Sequence, residues 1–508
     1  MPRYPNKWPT KADRDDETSA KSFVAALTKS ILWALKEKSA KSGRPSDAAI
    51  RSRLCAQGKN QVTTTNRRPS QIACTAALLF CSPAICAAPD LVEVYHAAQI
   101  GDPALRAAQA TLEIARQKLP EARAGLMPVV ALSGNINSTS GATQFDQVPV
   151  IQRDASIRSW TLQLTQPLFR VGNFIANRQA EFVVASAEAQ FEQAQQDLIV
   201  RVAQAYFAIN VAQDAIVAAD AQLAALEQQL AQVTQGVRFG TKATTDVDDT
   251  NTRLASARAQ RVSVQNDLED ARADLQKITG AFYASLAPLR SDSALQRPVP
   301  TDVQAWIDQS RDSNPVVRAE VAALETARMD VQRAQAEHLP TFDLVVSSGH
   351  SFQSHSLTTP DDYSTHGVQH QIGVQINVPL FAGGAVVAKV AEARGNLDKT
   401  DADLETARRG VAADAQRAFA GVLNGLAQVE ALDVAVRSGA NALKGNEAGF
   451  KLGVRTNVDV LNAEQQLFAA RRDLSKARYE VLLQGIKLKA SAGILAEADL
   501  LALDTLFH

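Results

Sequence analysis

The segment TLQLTQPLFRVG at residues 161–172 returns as GVQINVPLFAGG at residues 373–384. Pro167, Phe169 and Gly172 recur as Pro379, Phe381 and Gly384, each 212 positions on. Ahead of each proline, apolar residues alternate with polar ones. Trp160, Leu162 and Leu164 are interleaved with Thr161, Gln163 and Thr165, and Ile372, Val374, Ile376 and Val378 with Gly373, Gln375 and Asn377. Period two predicts a strand with one apolar face. Proline has no N–H for a ladder, and the glycine beyond it permits a sharp exit, so Pro167/Gly172 and Pro379/Gly384 predict strand-to-helix turns.

Working outward, Pro103 and Pro128 recur as Pro315 and Pro340 at the same offset, with DPALR (102–106) matching NPVVR (314–318). Gly240, Asp246-Val247 and Gly280 recur as Gly453, Asp459-Val460 and Gly493 at an offset of 213. A slip of one residue over so long a span identifies an internal duplication. The expected organisation is an N-terminal extension and signal peptide (1–88), a first repeat (89–295), a second repeat (296–495) and a C-terminal tail (496–508). Each repeat predicts a short helix (90–100; 303–312) and then a helix opened by Asp102-Pro103 or Asn314-Pro315, a capping residue followed by a proline at the first helical position. Two strands around a polar loop follow (129–138 and 157–167; 341–352 and 368–379). A long helical hairpin completes the repeat (173–285; 385–493).

The hairpins fall in proline-free stretches, from Pro167 to Pro288 and after Pro379. Val202, Ala205, Ile209, Ala212, Ile216, Ala219, Leu223, Leu226, Leu230 and Val233 step by three and four, as do Val411, Ala415, Ala418, Val422, Gly425, Val429, Leu432, Val436, Gly439 and Leu443. These are coiled-coil seams. A helix over 173–235 would run ~95 Å at 1.5 Å per residue. The turns Gly236–Gly240 and Gly449–Gly453 reverse the chain into shorter return helices. Each return helix matches the long one only if the helix between the prolines stacks on its end.

Strands of ~10 residues can cross an outer membrane when tilted. Four cannot close a barrel, and open edges are forbidden in lipid, so a membrane reading demands a dimer of eight strands or a trimer of twelve. The bland alternative is a soluble coiled-coil body with two surface β-hairpins. Charge helps to choose. Residues 1–88 hold 15 Lys+Arg and 6 Asp+Glu, leaving 38 and 48 for the remainder, so the mature part is acidic and poorly suited to nucleic acid. After Arg67-Arg68, the run SQIACTAALLFCSPAICAA (70–88) has the basic flank, apolar core and small-residue exit of a secretory signal, with cleavage expected after Ala88. Its distance from Met1 implies either a long extension or a start further in. All four cysteines (Cys55, Cys74, Cys81, Cys86) precede that exit, so the mature chain has neither disulfides nor thiolate metal sites. Phe80 before Cys81 and Ile85 before Cys86 are too bulky for lipoprotein processing.

With the signal, the duplicated (D/N)P helix, the PLF strand end and the turn FKLGVRTNVDVLNAEQQL (450–467), the chain resembles the TolC family of outer-membrane channel-tunnels over residues 90–495. The resemblance implies an α+β membrane protein: a homotrimer with a transmembrane β-barrel, four strands per chain, on a long α-helical coiled-coil barrel across the periplasm. It implies docking on a periplasmic adaptor (membrane fusion protein) and an inner-membrane ABC transporter or other efflux transporter. The exported substrate would be a polypeptide or a small molecule. The missing lipidation signal resembles the type I protein-secretion branch, and within it adenylate cyclase toxin export, more than the drug-efflux branch. A periplasmic adaptor with one hairpin, or a secreted coiled-coil surface protein, fits the double copy less well.

No GxSxG, HExxH, GxxxxGK[ST] or CxxC motif occurs, so no enzyme activity, cofactor or metal is expected. His338, His350, His355, His366 and His370 cluster in sequence, but strand residues four apart lie ~13 Å apart, too far to share a metal. They read as an outer loop. The hairpin turns at Gly240 and Gly453 carry Thr245, Asp246, Asp248 and Asp249, then Phe450, Arg455 and Asp459. Acids that open a helix are ordinarily dipole charges, the plain reading for Asp248 and Asp249. The resemblance gives Asp246, Phe450, Arg455, Asp459 and Asn462 the role of a periplasmic gate. Phe450 stands where the family often has Tyr, and Asn462 where an Asp ring is known, which implies a more weakly tied gate.

Overall fold

The computed structural model describes residues 89–144, 146, 149–290, 293–357 and 363–507. The extension, the signal-peptide reading and all four cysteines lie outside them. The first repeat contains α1 (Leu91–Gly101), α2 (Pro103–Ala124), β1 (Val129–Thr143), β2 (Ile151–Phe169), α3 (Val171–Arg238) and α4 (Thr244–Thr279). The second contains α5 (Val303–Ser313), α6 (Pro315–Ala336), β3 (Thr341–Ser354), β4 (Thr365–Asn377), α7 (Ala385–Lys451) and α8 (Asn457–Ser491), followed by α9 (Glu497–Asp504).

The long helices run 68 and 67 residues, slightly beyond expectation. α3 packs against α2 and α4, and α7 against α6 and α8. The expected end-to-end stacking is visible at the junctions. A Cβ on Gly101 would collide with the Thr279 carbonyl, so the end of α1 abuts the end of α4 just before α2 begins. The two helix caps secure these junctions differently. Asp102 accepts from Leu105 N at 3.0 Å and from Arg201 at 2.6 Å. Asn314 accepts from Val316 N at 2.9 Å and donates to the Ser491 carbonyl at 2.7 Å. Burial would raise the Asp102 carboxyl, but Arg201 and the helix N–H groups outweigh it and hold it below the usual range.

The main core gathers α1, α3, α4, α8 and the tail. Phe507 stacks on Phe207 at 6.0 Å and meets Tyr206 edge-on at 5.5 Å. Thus residues 496–507, a stretch to which the sequence reading assigned no structure, are a packed core element. The seam of α3 is buried at Val202, Ile209, Leu226 and Val233. In α7 the seam is buried from Val411 to Val422, then only half-buried at Gly425, Val429, Leu432, Val436 and Gly439.

All four strands form one antiparallel sheet in the order β1-β2-β3-β4, with the repeats joined through β2 and β3. Strands β1, β2 and β3 extend further toward the loops than expected, and β4 begins three residues earlier and ends two earlier. The extra rungs, such as Ser140↔Asp154 and Gly141↔Arg153, are polar on both faces and carry no hydrophobic alternation to read. His350 and His370 lie in strands, within the spans expected for β3 and β4, and the earlier start of β4 adds His366, which corrects the outer-loop reading of these three; His355 follows β3 at φ +64°. Among the described residues no cluster of three metal-ligating side chains occurs.

Register places Leu132, Leu162, Val346 and Ile372 on one face, and Ser133, Gln163, Ser347 and Gln371 on the other. The apolar face is bare: Leu132 is 71% exposed and Ile372 75%. Aromatic residues bound it. Phe169 and Phe342 meet at 6.0 Å near the helices; Trp160 stacks on His350, and Phe352 lies 4.6 Å from His366, toward the loops. Ten residue steps from Phe342 to Phe352 span ~33 Å, or ~25 Å for a strand tilted ~40°.

Arg170, between β2 and α3, grips Asp343 of β3 with two hydrogen bonds of 2.8 and 2.6 Å. The carboxylate is buried, whereas the guanidinium is 43% exposed. Removing the arginine strands a buried charge; removing the acid leaves a cation that reaches water. Arg170→Ala should therefore cost ~2–3 kcal/mol and Asp343→Ala closer to ~1 kcal/mol. Denaturant midpoints in detergent check this, and equal losses would contradict it.

Candidate gate at the hairpin tips

Both hairpins turn through glycine. Gly240 and Gly453 have φ of +69° and +79°, the left-handed region that closes helices cheaply only for glycine. Thr241 N donates to the Gly236 carbonyl at 2.8 Å, and Val454 N to the Gly449 carbonyl at 2.9 Å. A Cβ on Gly236 would strike Lys242 Cγ at 2.5 Å, and one on Gly449 would strike Arg455 Cγ at 2.6 Å. In each repeat, the missing side chain makes room for the stem of a basic residue. Lys242 and Arg455 are repeat equivalents, 213 positions apart.

Their ammonium and guanidinium groups differ in fate. Lys242 Nζ lies 3.6 Å from the centroid of the Phe450 ring, tying the first tip to the second. Arg455 is exposed and makes no ion pair within the chain among the described residues, and neither does Asp246. The expected Arg455–Asp246 link is not formed within one protomer. Asp459 closes a capping box: its carboxylate accepts from Thr456 N at 2.9 Å and from the Thr456 hydroxyl at 2.8 Å, while Asp459 N donates to that hydroxyl at 3.2 Å. The Thr456 N–H, then its hydroxyl and the Arg455 charge, hold the Asp459 carboxyl below its usual range. Asn462 accepts from Arg253 of α4 at 2.7 Å, and the same guanidinium reaches Gln465 at 2.9 Å.

Several residues here escaped the sequence reading. Asn457 is 2% exposed and joins three elements. It accepts from Gln229 of α3 at 2.5 Å and donates to Thr250 of α4 at 3.0 Å and to the Asp246 carbonyl at 3.4 Å. Glu464, 5% exposed, borders a groove of about 340 Å³ between α3, α4 and α8 with Arg253 and Arg472. Burial, reinforced by Glu447, pushes its carboxyl up to about 7 against the pull of Arg253. At the extreme tips, Phe239, Leu452 and Val454 are 80, 80 and 76% exposed. Only Lys242 had a legible signal, its repeat equivalence to Arg455.

The family model described as "Outer membrane efflux protein" matches residues 94–281 and again 306–494, one match per repeat. The chain is 31% identical over 424 residues to "Outer membrane protein TolC" of Escherichia coli (strain K12), covering 82% of this chain and 85% of that protein. It is 31% identical over 415 residues to "Alkaline protease secretion protein AprF" of Pseudomonas aeruginosa, covering 81% and 85%. A crystal structure of CusC, in a study of "transmembrane channel formation", superposes with a TM-score of 0.68 at 20% identity, covering 80% of this chain and 92% of that one. The narrower likeness suggested by sequence, to adenylate cyclase toxin export, is more distant: "Protein CyaE" of Bordetella pertussis is 26% identical over 416 residues, covering 81% and 85%.

Proposed function

The chain belongs to the outer membrane efflux protein family, as a TolC-family outer membrane factor seated in the outer membrane and extending into the periplasm, and from that premise we propose that it is the homotrimeric exit duct of a tripartite system secreting polypeptides. The observation that carries this reading is the open four-stranded sheet. Its apolar face lies bare over ~25 Å, the height of the lipid-facing band of an outer-membrane barrel. Its two outer edges have no partner among the described residues, and lipid would leave those backbone groups unsatisfied. Three copies, each joining β4 to a neighbour's β1, make twelve strands without an edge. The half-buried lower seam of α7 is then covered by the neighbouring protomer. Export of polypeptides, rather than of small molecules, is favoured by the extended match to a protease secretion protein.

The exposed apolar tips at Phe239, Leu452 and Val454 suit docking of a periplasmic adaptor, through which an inner-membrane ABC transporter would engage. Between protomers, Arg455 would reach Asp246 of a neighbouring copy, and three Asp459 carboxylates would form a cation-binding ring at the narrow end. Asn462, held by Arg253, contributes no charge to that ring. Native mass spectrometry in detergent should give three copies, and Arg455→Ser should raise single-channel conductance in planar bilayers several-fold. Asp459→Ala should weaken divalent-cation block from the periplasmic side. A monomer that still inserts would sink the duct; unchanged conductance and block would reduce Arg455 and Asp459 to solvated helix ends.

A further inference from the structure

At the loop end of the apolar face lies a crevice that none of the gate residues enters. Gly134 forms its floor, with Ile136, Arg158, Trp160, His350 and Phe352 around it. The register explains the gap: Gly134 pairs with Trp160, which pairs with His350, so a row of large rings ends at a residue without a side chain. A Cβ at Gly134 would meet nothing closer than the Ser159 carbonyl at 3.7 Å, so the space is open rather than filled by a neighbour. Arg158 sits one row nearer the loops, opposite Ile136 and Phe352. It is exposed and has no hydrogen bond or ion pair among the described residues. The acid on the same face of β2 is Asp154, four residues further out and ~13 Å away.

On the barrel reading above, on which this inference rests, that face contacts lipid. An arginine there is costly at the bilayer midplane and nearly neutral at the interface, and it is satisfied best by an anion. Guanidinium recognises phosphate through two parallel N–H bonds. Ile136 and Phe352 flank the charge in its own row, and one row below it uncovered Gly134, beside the rings of Trp160 and His350, offers an apolar slot. Cation above and apolar slot below match one kind of molecule. We propose that this crevice binds a phosphorylated lipid of the outer leaflet, with its phosphate on Arg158 and an acyl chain lying over Gly134.

The test uses the purified mature protein in detergent and native mass spectrometry. Lipid A, its dephosphorylated counterpart and inorganic phosphate serve as probes. The wild-type trimer should retain lipid A about tenfold better than the dephosphorylated lipid, one charge-assisted contact being worth about that factor. Arg158→Gln should erase the preference, and Gly134→Leu should lower retention of both lipids by filling the slot without changing charge. Excess inorganic phosphate should not displace the bound lipid. Equal retention of the two lipids by the wild type overturns the proposal, as does an unaltered preference in Arg158→Gln. Full displacement by phosphate overturns the lipid assignment. The lipid-free spectrum tests the premise separately: a protein that is not trimeric ends both readings, whereas an intact trimer without preference ends only this one.

Discussion

Glu464→Gln should flatten the pH dependence of stability and make the protein more stable than wild type above pH 7. The wild-type carboxyl titrates near 7 in the folded chain and near 4.5 when unfolded. Between those values the unfolded chain has released a proton that the folded chain still holds. Stability therefore falls as pH rises through that window, and it is level outside it. A shift of that size corresponds to ~3 kcal/mol, an upper bound because the groove beside Glu464 admits water. The groups facing it are Glu447 and Lys451 of α7, Arg253 of α4 and Arg472 of α8. Removing the acid relieves the repulsion from Glu447 and forfeits the attraction of Arg253, and the cost of burying the charge is larger than either. Thermal midpoints at pH 5 and pH 8 should differ clearly for wild type and little for the variant. Parallel curves for the two proteins would show that water solvates Glu464 fully. Because the residue lies two turns into α8, just beyond the Gly453 reversal, its ionisation should loosen the hairpin tips before the aromatic core around Tyr206.

The parts of this fold that were legible rest on local grammar. Pro103 and Pro315 open helices, Gly240 and Gly453 end them, and period-two runs stop at Pro167 and Pro379; each signal is decided within a few residues. What was illegible depends on partners distant in sequence. Pairing of β2 with β3 joins the repeats, yet nothing local distinguishes it from two separate hairpins. The outer rungs near Ser140 and Arg153 are strands because their neighbours template them, not because they alternate. Phe507 reads as the end of a tail until Phe207 and Tyr206 are placed beside it.

The hairpin tips show the same division. Sequence located Asp246, Arg455 and Asp459 correctly at the tips, since a turn glycine and a repeat offset suffice for that. Their partners were not legible. Asp459 closes its own capping box, Arg455 and Asp246 make no ion pair within the chain among the described residues, and Asn462 answers to Arg253 on another helix. Glu464 occupies a helical position that, taken alone, is indistinguishable from a solvated acid. Only the convergence of α3, α4, α7 and α8 buries it.

Phe450 is where the structure changes the argument most. Loss of the tyrosine hydroxyl predicted a slacker gate, but the ring is used through its face, by Lys242 at 3.6 Å. A cation over an aromatic ring at a partly exposed site contributes ~0.5–1 kcal/mol. Three copies around an axis would sum to ~1.5–3 kcal/mol, enough to change the open population of a concerted gate ~10–100-fold. Lys242→Gln and Phe450→Ala should each raise channel conductance, and the double variant should add little to either, because both remove the same contact. Phe450→Tyr should stay closed, since its ring keeps a face for the ammonium. Asn457, which binds α3, α4 and α8 together beneath this contact, should hold the tips in place in all four variants, so trimer mass and melting should scarcely move. Additive single effects, or a Phe450→Tyr channel as leaky as Phe450→Ala, would mean that the closed tips depend on contacts between protomers alone.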